Sequence, residues 1–517
     1  MSFTDKKTLL IISILLISYT LLFFFKLTEV GPDYDELAFI NAAFGCPNPS
    51  MFLHLSYPFG NGCLPVMVMP YLGAVHAYVI RAVFQFFEPT LLTLRATNYF
   101  LILTSFILIL VGLKKILSRN ALLIILFLLA FDPQMLLVTR YERTVVIPFL
   151  LKSLFVFFLF TPLPYAKYVR PLMLGLIVGL SIFAKLDILF VIGSVALGAI
   201  ITAYLYKDKF KKFIESLKFS WRTTAYFFFG FFIGITPLLL YISKSWRVIL
   251  EANKILSSYP GLPEKKILYL LTQFASIQLM EAAFRLKLTV KPSWFLSAFL
   301  FLLLIYVTIR LVKKHWLLSI LSLSLLFFYA MIIFYKGLGA WGKIHHLILI
   351  YPIPQILLAY YFSQKNHFRI AKLFIVIFLL LLAITYQEFY LLSIQTCGRR
   401  NWSCNIYDAM NVLKTNNNEI VVGDWGIATQ FLFLSRGQRQ INELVFKADS
   451  SNPEDLTPVI TGLQKNCANF VMSSPEQTIF LKARQNMMPF LEQNPSYSKT
   501  VVLDREKHPY LEIYQCK

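Results

Sequence analysis

The chain has 517 residues, of which 57% are hydrophobic and 15% charged, with a mean hydropathy of +0.64. A soluble globular protein carries about 25% charged residues, so a purely soluble chain is excluded. The formal charge of +22 would suggest nucleic acid in a soluble protein. Here part of it is the Lys and Arg excess of cytoplasmic loops, and no nucleic-acid partner is expected.

Apolar runs near the ~20 residues that span a bilayer recur along most of the length. They are continuous, as in "LLIISILLISYTLLFFF" (9–25), and not the alternating segments of a barrel. The expected fold is therefore a polytopic α-helical membrane protein. Lys6 and Lys7 precede the first run as in a secretory signal, but that run is too long and lacks a small-x-small cleavage site. It reads as a retained first span.

In chain order, hydropathy predicts about eleven spans. They lie near 8–28, 92–113, 121–138, 144–160, 171–184, 188–206, 223–243, 294–312, 316–335, 344–362 and 370–390. With the N-terminus cytoplasmic, every inner loop is basic: Lys114, Lys115 and Arg119; Lys167 and Arg170; "KDKFKKFIESLKFSWR" (207–222); Lys313 and Lys314; Lys365, Arg369 and Lys372. The outer side then receives loop 29–91, loop 244–293 and a tail from 391 to 517. The expected domains are a transmembrane module, 1–390, and an outer soluble domain, 391–517.

All six cysteines (Cys46, Cys63, Cys397, Cys404, Cys467, Cys516) fall in predicted outer segments. Disulfides belong to the periplasm or secretory lumen, so this placement supports the topology. Nearest-neighbour pairing would join Cys46 to Cys63, Cys397 to Cys404 and Cys467 to Cys516, although six cysteines allow other connectivities.

The tail reads as an α/β domain. Helices are expected at 405–415, 426–436 and 475–494, the last with Pro475 at its start, and strands at 418–425, at 469–474 and in a hairpin after 499. No nucleotide-binding glycine loop, internal repeat or low-complexity tract is visible. Asn401-Trp402-Ser403 fits a glycosylation acceptor pattern that is common by chance.

Several cations sit near outer span ends, where the bland reading is snorkelling to headgroups. Arg140 and Arg143 flank Glu142; Lys185 follows "GLSIFA"; Arg285, Lys287 and Lys291 end the second loop; Lys336 and Lys343 bracket "GLGAWG", before His345 and His346. Ionisable groups at membrane depth are costly unless they face a cavity or a partner. Together they point to an anionic substrate at the outer face, best a lipid-linked phosphate or diphosphate.

The acids of "GPDYDE" (31–36) follow the first span. Apolar residues recur at Tyr34, Leu37, Ile40 and Phe44, predicting an amphipathic helix on the outer surface. Asp33 at its N-cap and Glu36 three residues later form an Asp variant of the capping box. Asp35 is left over. At the outer interface, beside phosphate-binding cations, it is placed to act as a general base toward an acceptor hydroxyl attacking a lipid-linked sugar.

This arrangement resembles the GT-C superfamily of integral-membrane glycosyltransferases, within it the protein mannosyltransferase and aminoarabinose transferase branch. The resemblance implies Asp35 of "DYDE" as catalytic base with Glu36 as its neighbour and Asp33 close by. It also implies Lys185 of "GLSIFAKLD", and Lys343, His345 or His346 of "KIHHLILIYPIP", near the carrier phosphate. Arg140, Glu142 and Arg285 join them as candidate substrate-binding residues, and Asp132 is a second candidate acid beside Glu142. The implied donor is a polyprenyl-phosphate or polyprenyl-diphosphate sugar, transferred with inversion to a glycan, lipid or protein acceptor. A divalent cation, Mg2+ or Mn2+, is an option for the carboxylates. The rival readings are a transporter or flippase, and a ligase or polymerase, of lipid-linked saccharides; the absence of internal repeats argues against a transporter.

Overall fold

The computed structural model describes residues 5–48, 51–141, 143–161, 168–209, 220–258, 263–284, 292–334, 345–450 and 452–517. Among them, eight helices are long and apolar enough to cross a membrane. These are Lys6–Phe24, Leu91–Leu113, Arg143–Phe160, Ile188–Leu205, Trp221–Arg247, Pro292–Leu311, Trp316–Phe334 and Arg369–Thr396. Arg119 pairs with Asp5 at 2.7 Å, so the start of the first helix and the 114–119 loop share one end of the bundle.

Three of the expected spans depart from a single long helix. The run 121–138 is divided into Arg119–Phe131 and Pro133–Tyr141, bent by 51°. Asp132 ends the first helix in extended geometry and caps the second, its Oδ1 accepting from the amides of Gln134 (2.9 Å) and Met135 (3.3 Å). An N-cap acid followed by proline is a helix start, here set inside an apolar run. The run 171–184 forms the 16-residue helix Val169–Ala184. The run 344–362 breaks into His345–Ile348 and Ile353–Phe362. Carbonyls freed by this break are taken by the Lys152 ammonium, which donates to Ile348 O (3.4 Å), Tyr351 O (2.6 Å) and Leu349 O.

Helix Val169–Ala184 packs on helix Trp221–Ser258 through small residues. A Cβ at Gly175 would overlap the Phe227 carbonyl, and one at Gly230 the Leu172 carbonyl. Gly175/Gly179 and Gly230/Gly234 thus allow the close approach typical of small-xxx-small pairs in membranes.

The first loop holds a small antiparallel sheet: β1 (Leu55–Phe59), β2 (Gly62–Met69) and β3 (Leu72–Gly73). It docks on the turn after helix Val169–Ala184, where Leu186 N donates to Tyr71 O at 3.1 Å and Leu72 bridges Lys185. The C-terminal α/β part contains β4 (Ile420–Val422), β5 (Ile441–Glu443), β6 (Asn469–Ser473), β7 (Tyr497–Leu503) and β8 (Pro509–Cys516) in the order β5-β4-β6-β8-β7. Strand β4 runs parallel to β5 and β6, while β8 is antiparallel to β6 and β7.

The helices Ile406–Leu413 and Ala428–Leu434 match expectation closely. The last helix is Leu481–Glu492, starting later than Pro475. Residues before it are diverted into a turn whose Thr478 hydroxyl and Ile479 amide donate to Asp424. Asn401 lies in a one-turn helix whose Trp402 and Ser403 are buried, so the acceptor pattern there is part of a packed turn. The cysteines pair as nearest neighbours, with Cα–Cα distances of 5.7 Å (Cys46–Cys63), 5.5 Å (Cys397–Cys404) and 5.3 Å (Cys467–Cys516).

Candidate active site

The "GPDYDE" segment makes a one-turn helix, Tyr34–Leu37, followed by a second turn, Ile40–Ala43. The expected amphipathic helix on an exposed surface is not what forms. Residues from Tyr34 to Ala43 are buried except Asp35, because helix Ala428–Leu434 and the first-loop elements cover them. The capping box does form. The Asp33 carboxylate accepts from Asp35 N at 3.1 Å, and Glu36 Oε2 accepts from Asp33 N at 3.4 Å.

Glu36 has a larger role than capping. It is fully buried and bound bidentately by Arg95, with Nε–Oε1 at 2.9 Å and Nη2–Oε2 at 2.8 Å. Arg95 places its remaining N–H groups on the carbonyls of Leu27 (2.5 Å), Val30 (2.9 Å) and Gly31 (2.9 Å). All five guanidinium donors are used, and the plane lies over the Tyr141 ring at 4.5 Å. This fork fastens the start of the first loop to helix Leu91–Leu113. The sequence carried one signal for it, a lone arginine early in an apolar run.

Arg143 approaches the same carboxylate, with Nη2 3.6 Å from Glu36 Oε1. It too is fully buried, and none of its side-chain nitrogens has a hydrogen-bond partner among the described residues. Two guanidiniums share one carboxylate here, which leaves a positive charge beside the acid turn. Arg143 opens a short helix, Arg143–Val145, that packs on both Tyr34–Leu37 and His345–Ile348. The acid turn and the histidine turn therefore abut one common element. His76 faces it, its Nδ1 3.1 Å from Arg143 O; burial and the Arg143 charge push its imidazole down to about 3.

Lys185 and His346 are brought together across 161 positions by a residue the sequence reading did not single out. Asp187 Oδ2 lies 3.5 Å from Lys185 Nζ and 3.3 Å from His346 Nδ1. Lys185 is fully buried, and its ammonium has no hydrogen-bond partner among the described residues; it faces the Tyr71 ring at 5.9 Å. Arg140 stands in different surroundings. It donates to Tyr390 Oη (3.0 Å) and Phe25 O (2.9 Å) inside a cage of Phe23, Tyr141 and Tyr390 rings. Glu142, Arg285, Lys343 and the His345 side chain lie outside the described residues, as do Lys287, Lys291 and Lys336. Asp132 is buried, with Oδ2 accepting from Tyr351 Oη (2.9 Å) and Gln355 Nε2 (3.2 Å), and so serves the broken helices.

The acid triplet does not fit a divalent cation. Asp33 is engaged in the cap and both oxygens of Glu36 face Arg95. Asp504, Glu506 and His508 do offer ligand atoms within 4.8 Å of one another. However, Asp504 accepts the amides of Glu506 and His508, and Glu506 is bound by Arg399, so the turn and its ion pair account for that group.

No protein-family model matches the chain, and no curated protein does. The fold, by contrast, has solved counterparts. The aminoarabinose transferase ArnT from Cupriavidus metallidurans in the apo state superposes with a TM-score of 0.54 at 11% identity, covering 97% of both chains. The archaeal oligosaccharyltransferase AglB from Archaeoglobus fulgidus, solved with an inhibitory peptide and a dolichol-phosphate, superposes with a TM-score of 0.52 at 12% identity, covering all of this chain and 75% of its own. Both are GT-C glycosyltransferases, and this chain has the GT-C fold.

Proposed function

We propose that the chain is a membrane glycosyltransferase. It moves a sugar from a polyprenyl-phosphate or polyprenyl-diphosphate donor to an acceptor hydroxyl at the outer membrane face, inverting the anomeric centre. The observation that carries this reading is the division of labour within one turn. Asp33 caps the turn, Glu36 is locked by Arg95, and Asp35, set between them, keeps part of its surface exposed where the other two acids are buried.

In the reaction, the acceptor oxygen forms a bond to the anomeric carbon as the bond from that carbon to the phosphate oxygen breaks. The electron pair leaves on the carrier phosphate, and the acceptor proton passes to the Asp35 carboxylate. Lys185, His346 and Arg143 offset the negative charge that grows on the phosphate. The Lys185 ammonium and the Arg143 guanidinium have ion-pair partners at 3.5 and 3.6 Å but no hydrogen bond among the described residues, so both are buried donors that a phosphate would satisfy. No step is routed through a metal ion. Glu36 acts through position, by fixing the turn that carries Asp35.

The ArnT and AglB folds support a lipid-linked donor by analogy, since AglB was solved with dolichol-phosphate. We place the acid turn and the domain 391–517 on the periplasmic or lumenal side, with the N-terminus cytoplasmic, in a bacterial inner membrane. The three disulfides in the first loop and the C-terminal part support this side. The acceptor is a glycan, lipid or protein hydroxyl.

The test is glycan and lipid profiling of a deletion strain complemented with the wild type or with Asp35→Asn. The wild type restores the glycan. Asp35→Asn inserts normally yet leaves the lipid-linked donor accumulated, with turnover down about 100- to 10,000-fold. Full complementation by Asp35→Asn would remove Asp35 from the base role.

A further inference from the structure

The C-terminal part also grips the segment that leads into the acid turn. Gln430, in helix Ala428–Leu434, is fully buried, and its Nε2 donates to Pro32 O at 2.6 Å and to Asn401 O at 2.8 Å. The Trp425 ring packs on that of Tyr34, with centroids 4.3 Å apart and planes tilted by 52°. Burial, then the charges of Glu443 and Asp35, push that phenol far up, so it stays neutral in this contact. Gly31 N donates to Trp402 O at 2.9 Å, within the hairpin closed by the Cys397–Cys404 disulfide. A Cβ at Gly31 would overlap the Ser403 carbonyl, so only glycine lets the hairpin approach this closely.

Thus residues 31–34 are held at three points by residues of 391–517: the Gly31 backbone by the disulfide-closed loop, the Pro32 carbonyl by Gln430 and the Tyr34 ring by Trp425. Asp35 follows directly. A fold that needed the outer domain only as a cap on the bundle would not bury an amide side chain to bind the carbonyl of Pro32. Burying a glutamine is costly unless its hydrogen bonds are specific, and here both N–H bonds fix chain path.

We propose that Gln430 and Trp425 are positioning residues for Asp35: the C-terminal domain is a clamp that sets the general base relative to the donor. The proposal rests on the reading of Asp35 as the base. A displacement of about 1 Å at a reacting group is enough to cost roughly 100-fold in rate, so such a clamp has a catalytic consequence without touching substrate.

The experiment uses the full-length protein in lipid nanodiscs and the variant Gln430→Glu. This change keeps the shape but turns a donor toward two carbonyl oxygens into an acceptor. Hydrogen–deuterium exchange should speed up about tenfold at the amides of 31–37 and stay unchanged in helix Val146–Phe160. Sugar transfer, with lipid extract of the deletion strain as donor, should fall about 10- to 100-fold at saturation. Binding of polyprenyl phosphate alone should stay within about twofold. Transfer should recover in part as pH falls, because a protonated glutamate regains one donor, a signature that general damage would not produce. Trp425→Leu removes the ring contact with Tyr34; it should give the same pattern more weakly, and carries the test should Gln430→Glu not fold.

Unchanged exchange at 31–37 in both variants overturns the clamp. Faster exchange with unchanged transfer overturns its positioning role, and so does a parallel loss of polyprenyl-phosphate binding. A wild-type protein that transfers no sugar sinks the transferase reading instead, and the exchange measurement still judges the clamp.

Discussion

Two buried charge clusters flank the proposed reaction centre, and they are built on opposite terms. In the Glu36–Arg95 cluster both carboxylate oxygens and all five guanidinium donors are matched inside the protein. In the Lys185–Asp187–His346 cluster the ammonium is equally buried, yet its nearest anion stands at 3.5 Å and it makes no hydrogen bond among the described residues. A closed cluster is architecture; its removal should be felt in stability. In the proposed reaction the open donor takes the carrier phosphate, so its removal should be felt in binding. Arg140 lies between the two kinds: Nη1 and Nη2 have phenol and carbonyl partners, while its buried Nε has no hydrogen-bond partner among the described residues.

The largest expected effect breaks the closed cluster. Glu36→Gln strips the carboxylate from two buried guanidiniums and should cost about 3–5 kcal/mol, because a lone buried charge is penalised far more than a pair is rewarded. Thermal unfolding of the purified protein measures this; a loss under about 1 kcal/mol would mean the cluster is hydrated. Next comes Lys185→Met. It should leave the unfolding temperature nearly unchanged and weaken binding of polyprenyl phosphate about 10- to 100-fold, as expected for a charge-assisted contact of roughly 1.5–3 kcal/mol. Equal affinity in titrations of the variant would place Lys185 with the closed kind.

The smallest effect concerns Glu443, at the end of β5 beside the Tyr34–Trp425 contact. Its Oε1 is buried without a hydrogen-bond partner among the described residues, and burial raises its carboxyl to about 7. Between an ordinary carboxyl value and 7 the folded state holds a proton the unfolded chain has released, so stability should fall as pH rises through that window. The side chain keeps some exposure, so the loss should be modest, about 1–2 kcal/mol. Unfolding curves from pH 4.5 to 8 should lose this slope in Glu443→Gln. An unchanged slope would show that another group titrates.

These contrasts were only partly legible in the chain itself. The capping box could be read because Asp33 and Glu36 are three residues apart and their geometry is local. The tail's parallel strands and their helices were likewise visible where periodicity was strong, as at 405–415 and 469–474. The strand Ile441–Glu443 was not, being three residues long and recognisable only by its pairing with β4. The expected spans at 121–138 and 344–362 failed as single helices for a related reason. Hydropathy sums the apolar content of a run, but Asp132 and Pro133 in one, and the carbonyls held by Lys152 in the other, stop the hydrogen-bond ladder inside it.

Residue order and hydropathy, then, were enough to show an integral membrane chain, cysteines clustered in two regions and an acidic segment after the first span. They named its three acids and the capped turn. Tertiary structure added the partners of that turn, because Arg95 lies 59 residues from Glu36 and Gln430 lies 398 from Pro32. Which charge is matched depends on partners that only folding brings within 3 Å, and in a low-dielectric interior that matching decides what a buried charge costs.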